Sequence, residues 1–467
     1  MPIDYGVTIP LIYICSLGIL VLIAEITFRN SEPVSYWASI LGLAGIAVLM
    51  FPGFNPVMGW PAVTGLGGLF CVLFTAAAFL TVIFSRDYMR RNGSEHGEYY
   101  LMIIFSVAGM MLMALATDLI MLFLGLELMS ICLYVLAGYL RKRLSGNEAS
   151  LKYFLLGAFI TGFILYGIAL IYGSTGSLSI DRLVERMQTP GQPALFWTGV
   201  SLLLGGFAFK VGAFPFHMWI PDVYQGAPTP VTAFMATGAK TAAFSVLVMV
   251  FTRRAAADAD LLRDVIAYLA AGSMVVGNIL AITQENVKRM LAYSSIAHAG
   301  YMLVGIAAGS ANGSDGVTFY LVSYLFMNIG ALGIVSMLEE KEEQRLSYDD
   351  YAGLSGRNPV LASLMAIFLF SLAGLPPFGG FFGKYFVFVA AIETGLTWLA
   401  ILGVLASLAG VYYYLRLVMV MFFQESERPA TASVHALAVT ALIAAALINL
   451  QLGVLPSSII SLIQNLR

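Results

Sequence analysis

Charge is what this 467-residue sequence has least of. Asp, Glu, Lys and Arg make up 11% of it, against about 25% in an ordinary soluble chain. Apolar residues fill 60% and the mean hydropathy is +0.87, values that exclude a conventional soluble domain. Cysteine occurs only three times, as Cys15, Cys71 and Cys132, in three separate apolar runs. No pair has the spacing of a zinc or iron–sulfur site, and no disulfide framework follows. The net charge of −2 gives no argument for nucleic acid, and there is neither a phosphate loop nor a G-x-G-x-x-G turn after a strand. No cofactor-binding, metal-binding or redox-catalytic motif is therefore assigned to this chain. Strand-type alternation is missing as well, which excludes a membrane β-barrel.

What is present is a series of apolar runs, each long enough for a helix crossing about 30 Å of hydrocarbon, for which roughly 20 residues suffice. The sequence predicts an all-α polytopic membrane protein with about 14 spans. They cover 7–28, 34–52, 62–85, 99–116, 118–140, 151–173, 195–221, 228–252, 261–282, 290–308, 316–338, 361–394, 396–422 and 433–455. Met1 to Gly6 holds Asp4 and no Lys or Arg, so the first span is expected to be a retained helix and not a cleaved signal.

Orientation is expected from the Lys/Arg asymmetry of the loops. Loops after odd-numbered spans carry fourteen, including Arg86, Arg90, Arg91, Arg141, Lys142, Arg143, Lys288, Arg289, Lys341, Arg345 and Arg428. The opposite side carries six: Arg182, Arg186, Arg253, Arg254, Arg263 and Arg467. The richer side belongs in the cytoplasm, which places both termini outside, in a bacterial inner membrane. Of the two longest loops, 173–194 contains Leu178, Ile180, Leu183 and Val184 among charges and predicts a short interfacial helix. In 339–361 the run Glu339, Glu340, Glu342 and Glu343 is expected to be a solvated face.

Two spans are irregular. The run 361–394 would be roughly 50 Å long as one straight helix, far more than a bilayer needs. It contains Gly374-Leu-Pro-Pro-Phe-Gly-Gly380, where prolines remove donors and glycines permit non-helical turns, so an unwound break is expected there with Lys384 one turn beyond. The seventh span has a similar break near Gly212 and Pro215, just after Lys210. Broken helices at membrane depth often mark ion sites. The breaks sit five spans apart, and a five-helix unit crosses the membrane an odd number of times. Spans 4–8 and 9–13 would then be two inverted repeats. The expected organisation is helices 1–3 in 1–98, a first antiporter-like repeat in 99–252, a second in 253–422 and a last helix in 423–467.

Only four cations fall inside predicted spans: Lys210, Lys240, Lys384 and Arg416, with Glu127 as the one central carboxylate. A charge near the bilayer midplane costs at least about 2.5–3.5 kcal/mol, so such groups are expected to be functional. Desolvation weakens a lysine's hold on its proton, and a row of such amines joined by water can pass protons. A static salt-bridge arrangement would need one acid per base, and the bases outnumber the acid. His298, mid-span in the tenth helix, suits proton hand-off and is equally a hydrogen-bonded core residue. His217, at the seventh break, reads first as structural. Arg416 stays protonated and is expected to stabilise a carboxylate or backbone carbonyls. Glu393 is a possible exit group, Glu25 and Asp118 lie at wetted span edges, and Tyr412 to Tyr414 is as readily packing as anything else.

At these residues a family is recognisable. The chain resembles the antiporter-like membrane subunits of respiratory complex I, and within them the subunit N branch. Four segments carry the resemblance: Phe123 to Ser130, Phe209 to Pro230 running into Lys240, Val287 to His298, and Gly374 to Lys384. Lysine at position 384 argues against the subunit M branch, where glutamate is typical. The resemblance implies a 14-helix fold with inverted repeats and a proton relay. In that relay Glu127 and Lys210 form a pair, Lys240 connects, and Lys384 serves the second half-channel. It also implies that FMN, iron–sulfur clusters, NADH and quinone sit on other subunits, and that the partners are other membrane-arm subunits and the lipid bilayer, with no nucleic acid. Two other classes stay open from sequence: a multisubunit cation/proton antiporter or a related ferredoxin- or hydrogenase-linked membrane complex, and a purely structural spacer subunit.

Overall fold

The computed structural model describes residues 5–29, 31–50, 65–252, 260–340, 346–425 and 435–467. Arg253, Arg254, Lys341, Glu342, Glu343, Arg345 and Arg428, used above for orientation or loop character, lie outside the described residues.

The described chain is helical from end to end, because every long apolar run must satisfy its backbone polar groups internally. In chain order the helices are α1 (Tyr5–Thr27), α2 (Glu32–Met50), α3 (Leu66–Arg91), α4 (Gly97–Ala114), α5 (Leu119–Ala137), α6 (Leu144–Thr175) and the short α7 (Ile180–Gln188). There follow α8 (Ala194–Val211), α9 (Trp219–Gly226), α10 (Thr229–Phe251), α11 (Asp260–Ile282), α12 (Val287–Ala308) and α13 (Ala311–Leu338). The chain continues through the one-turn α14 (Leu354–Arg357), α15 (Pro359–Ala373), α16 (Gly379–Glu393), α17 (Thr397–Phe423), α18 (Ala436–Val454) and α19 (Pro456–Leu466). Twelve of these are long and apolar enough to cross a membrane: α1, α3–α6, α8, α10–α13, α17 and α18.

Burial sorts them by role. The spanning windows of α10, α12 and α13 are 94% buried, whereas that of α6 is only 28% buried and presents Phe154, Phe159, Phe163 and Tyr166 outward. Helices that are apolar all round and exposed have no aqueous surface to face, so lipid or neighbouring subunits cover them. Of the three most enclosed helices, α10 carries Lys240, α12 carries His298, and α13 carries Tyr320 and Tyr324.

Both irregular spans are broken at the expected places. α8 ends at Gly212, with φ 74°, and α15 ends at Gly374, with φ 85°, left-handed caps that an L side chain rarely adopts. The backbone groups freed at the breaks are met by side chains, the condition for tolerating them at membrane depth. At the first, Ser273 Oγ accepts from Phe214 N at 2.8 Å, and Trp219 Nε1 donates to Phe209 O at 3.0 Å. At the second, Asn449 Oδ1 accepts from Gly379 N at 3.1 Å and from Ser371 Oγ at 2.8 Å. A further irregularity lies within α10, where Met235–Ala239 form one π-helical turn directly before Lys240.

Two isolated bridges tie loops across the bundle, Asp118 with Ser179 and Asn286 with Ser347. Each begins beside an N-cap. Asp118 Oδ1 accepts from Ile120 N and Met121 N at 2.9 and 2.8 Å, and Asn286 Oδ1 accepts from Arg289 N at 3.0 Å. The expected interfacial helix is α7, with Leu183 and Met187 buried and the Arg182–Glu185 pair exposed.

Two expectations are corrected. Glu339 is not on a solvated face: it is 2% exposed, because it caps α13 where α3, the start of α6 and the start of α10 cover it. Lys288, counted above with the loop cations, is not solvated either; at the edge of its span, in the first turn of α12, it is fully buried and donates to Ala227 O at 2.6 Å. We predict that Asp118→Ala and Asn286→Ala each cost about 1 kcal/mol through the lost cap, read as a lower unfolding temperature of the detergent-solubilised protein. Unchanged melting would mean that the bridges hold these helix starts without the caps.

Candidate functional site: a buried row of amines

The three central lysines are all buried in the bundle, and none touches a carboxylate among the described residues. Among the described residues, the ion pairs within 4.0 Å involve neither Lys210, Lys240 nor Lys384. Their partners are hydroxyls and backbone carbonyls. Lys210, in the last turn of α8, donates to Ser130 Oγ at 2.8 Å and Tyr134 OH at 3.4 Å. Lys240 donates to Ser295 O at 2.7 Å and to Ser295 Oγ, and lies 5.8 Å from the Tyr324 ring centre. Lys384 donates to Ala373 O at 2.9 Å, Leu372 O at 3.2 Å and Ser407 Oγ at 2.8 Å. Those two carbonyls belong to the last turn of α15, which the break leaves without helical partners. A cation is favoured at such a helix end.

Glu127 and Lys210, the expected pair, are not within 4.0 Å of one another. Its Oε1 accepts from Thr161 Oγ1 at 2.8 Å, and the side chain is only half-buried. Ser130, one turn further along α5, is the group that meets Lys210. The carboxylate and the amine thus each bind a hydroxyl of their own, Thr161 and Ser130, partners with no signal in the spacing of charges.

His298 occupies the gap between Lys240 and Lys384. It is 1% exposed, with Nδ1 2.7 Å from Tyr320 OH and Nε2 3.1 Å from Tyr414 OH. Its ring lies 5.2 Å from that of Tyr324, on the Lys240 side, and 5.7 Å from that of Tyr301, over which Lys384 sits at 4.9 Å. Asn278 Nδ2 donates to Tyr301 OH at 2.9 Å and its Oδ1 accepts from Tyr413 OH at 2.9 Å; Tyr414 in turn meets Ser294. Sequence reasoning missed this hydroxyl set: Ser130, Tyr134, Ser295, Tyr301, Tyr320, Tyr324 and Ser407. Of the tyrosine run, Tyr413 and Tyr414 belong to the network and Tyr412 is exposed.

The accessory candidates lie apart. His217 is buried at the first break, its ring 5.5 Å from that of Phe214. Arg416 rests 4.3 Å over the Tyr348 ring, an aromatic partner in place of the expected carboxylate or carbonyl. Glu393 is exposed at the end of α16 and accepts from Asn312 Nδ2 at 2.8 Å.

Comparison with known proteins gives the family of the chain. Residues 116–410, which hold every central group above, match the family model described as NADH:quinone oxidoreductase/Mrp antiporter, TM. The chain belongs to the NADH:quinone oxidoreductase/Mrp antiporter membrane family. Within that family, NADH-quinone oxidoreductase subunit N of Trichlorobacter lovleyi is 49% identical over 396 residues, covering 84% of this chain and 81% of that protein. A chain of respiratory complex I from Thermus thermophilus superposes with a TM-score of 0.83 at 35% identity, covering 97% of this chain and 98% of its own. A chain of the Mrp complex from Dietzia sp. DQ12-45-1b reaches 0.85 at 20% identity, over 100% and 97%, a likeness of fold alone.

Gly374 is where this family member's fold and site meet most closely. A Cβ there would lie 2.9 Å from Lys384 Cδ and 3.0 Å from Nζ, on a left-handed backbone. Gly374→Ala is therefore expected to cost about 1–2 kcal/mol of backbone strain and to push the amine off Ala373 O. The check is a lowered unfolding temperature together with loss of activity in a reconstituted complex. A variant that keeps both would show that the contact tolerates displacement.

Proposed function

We propose that this chain is a subunit N-type member of the membrane arm of respiratory complex I and moves protons along Glu127, Lys210, Lys240, His298 and Lys384. The observation that carries this reading is the set of three buried amines held only by neutral groups. With no carboxylate in contact, an amine in an apolar interior is not locked to its proton by an ion pair, and each hydroxyl beside it can both accept and donate one. From Lys240 onward the groups run through Ser295 and Tyr324 to His298, and through Tyr320, Tyr414 and Tyr301 to Ser407 and Lys384. Redox chemistry on other subunits would displace charge near Glu127, changing its field at Lys210 and passing protonation changes down the row. Moving one charge against 100 mV costs about 2.3 kcal/mol, an amount that small shifts between charges in low dielectric can supply. Titration would belong to the set and not to single residues.

The organisation we infer is fourteen crossings, adding α2 and the α15–α16 pair to the twelve long helices. Spans 4–8 and 9–13 would form inverted repeats over 99–252 and 253–422. Matched features five spans apart support this: the caps Gly212 and Gly374, the bridges of Asp118 and Asn286, and a lysine beside each break. Both termini would lie on the outer side, with FMN, iron–sulfur clusters, NADH and quinone handled by neighbouring subunits.

The test is Lys240→Met in the assembled complex. Proton uptake by membrane vesicles should fall sharply, and quinone reductase turnover coupled to it should fall too. Normal pumping and normal turnover together would defeat the relay.

A further inference from the structure

Away from the amine row, one end of the bundle holds a second group of buried charges that the relay does not use. Glu339, at the C-cap of α13, is its centre. Its Oε1 accepts from Arg143 Nη2 at 2.9 Å and Tyr88 OH at 3.0 Å. Its Oε2 accepts from Thr229 Oγ1 and lies 4.0 Å from Lys288 Nζ. Arg143 Nη1 also donates to Tyr88 OH at 3.0 Å, closing a ring of contacts. Arg91 Nη2 donates to Ser336 O at 2.6 Å and fixes the same helix end. Five separated pieces of chain therefore meet at one carboxylate.

Two of these contacts aim at the beginning of α10. Thr229 is its first residue, and Lys288 holds Ala227 O, two residues earlier. Thr232 Oγ1 donates back to Tyr224 O at 2.8 Å, binding α9 to the same start. Eleven residues on, the same helix presents Lys240 to Ser295, and Ser295 lies on α12, the helix that also carries Lys288. α10 and α12 are thus fastened to each other twice, once at the ionic group and once at the central lysine.

We propose that Glu339 is a positioning residue for the relay: through Thr229 and Lys288 it sets the register of α10 against α12 and so the seat of Lys240 on Ser295. Burial alone would raise the Glu339 carboxyl, but Lys288 and Arg143 outweigh it and hold it below the usual range, so it remains an anion. It stays charged and in place and takes no part in the transfer of protons. A buried carboxylate with this many partners is rigid, and rigid support is what a site needing near-attack distances depends on.

The inference rests on the relay reading, and the experiment separates the two. Assembled complex carrying Thr229→Val, Thr229→Ser, Glu339→Gln or Lys240→Met is compared in membrane vesicles for the initial rate of NADH-driven proton uptake at equal complex content. Valine keeps the shape of threonine and loses the hydroxyl; serine loses a methyl and keeps it. Thr229→Val is expected to lower pumping about tenfold, equivalent to about 1.4 kcal/mol of barrier, and Thr229→Ser to restore most of it. A merely packed residue would give the reverse order. Glu339→Gln should behave like Thr229→Val wherever it assembles, and should it not assemble, the threonine pair carries the test. Normal pumping by Thr229→Val, or serine no better than valine, overturns the positioning role. If Lys240→Met is inactive while Thr229→Val is normal, only this inference falls; if Lys240→Met pumps normally, both fall.

Discussion

The constraint on which the rest of this structure depends is the cost of placing a lysine amine in an apolar interior without an acid beside it. Removing an ammonium from water is expensive, and a buried carboxylate would repay part of that cost while locking the proton in place. Here the three central amines are given hydroxyls and carbonyls instead, groups that stabilise a cation by hydrogen bonding yet leave the neutral amine comfortable. The two protonation states are brought closer in energy than an ion pair would allow. Much of the architecture serves that balance: the most enclosed helices carry the most central groups, and the exposed apolar helices wrap them.

The broken helices belong to the same logic. In a continuous helix the carbonyls already accept from backbone N–H groups, and each has only its second lone pair for a side chain, as Ser295 O has for Lys240. Ending α15 at Gly374 frees those of Leu372 and Ala373 at the depth where Lys384 arrives from α16. The other freed groups would be costly if left alone, and Asn449, Ser371 and Ser273 meet them. A break in this protein is thus a source of backbone acceptors.

Much of this was legible in the residues alone. The length of the apolar runs gives the helices, proline and glycine give both breaks, and the rarity of charge picks out Lys210, Lys240 and Lys384, because each of these signals is local. The partners were not legible. Ser130, Ser295 and Ser407 look like any other serine in an apolar helix, and which helix faces which is a property of tertiary packing. For the same reason Thr161 and Ser130, the hydroxyls that Glu127 and Lys210 bind, carry no mark in the sequence. Glu339 was hidden by its neighbours in sequence: in a run of glutamates the pattern reads as solvated, and only the cap at the end of α13 sets the first apart. Lys288 looked peripheral because it starts a helix, but another segment of backbone covers that start.

The π-helical turn before Lys240 has a consequence for how the protein changes over evolution or by design. A π turn holds one residue more than a regular turn, so the helix beyond it is rotated relative to an uninterrupted one. Deleting a single residue from Met235–Ala239 would let the turn close as regular α-helix with Lys240 still facing α12, whereas deleting one from Thr229–Phe234, where the winding is already regular, would swing everything downstream by about 100° and carry the amine away from α12. Insertions and deletions are ordinarily harmless in loops and merely awkward in helices. In the regular helix ahead of the π turn a one-residue change of length would unplug the central lysine while leaving composition, hydropathy and span count almost untouched, and the π turn is the one place in α10 where the loss of a residue would be absorbed.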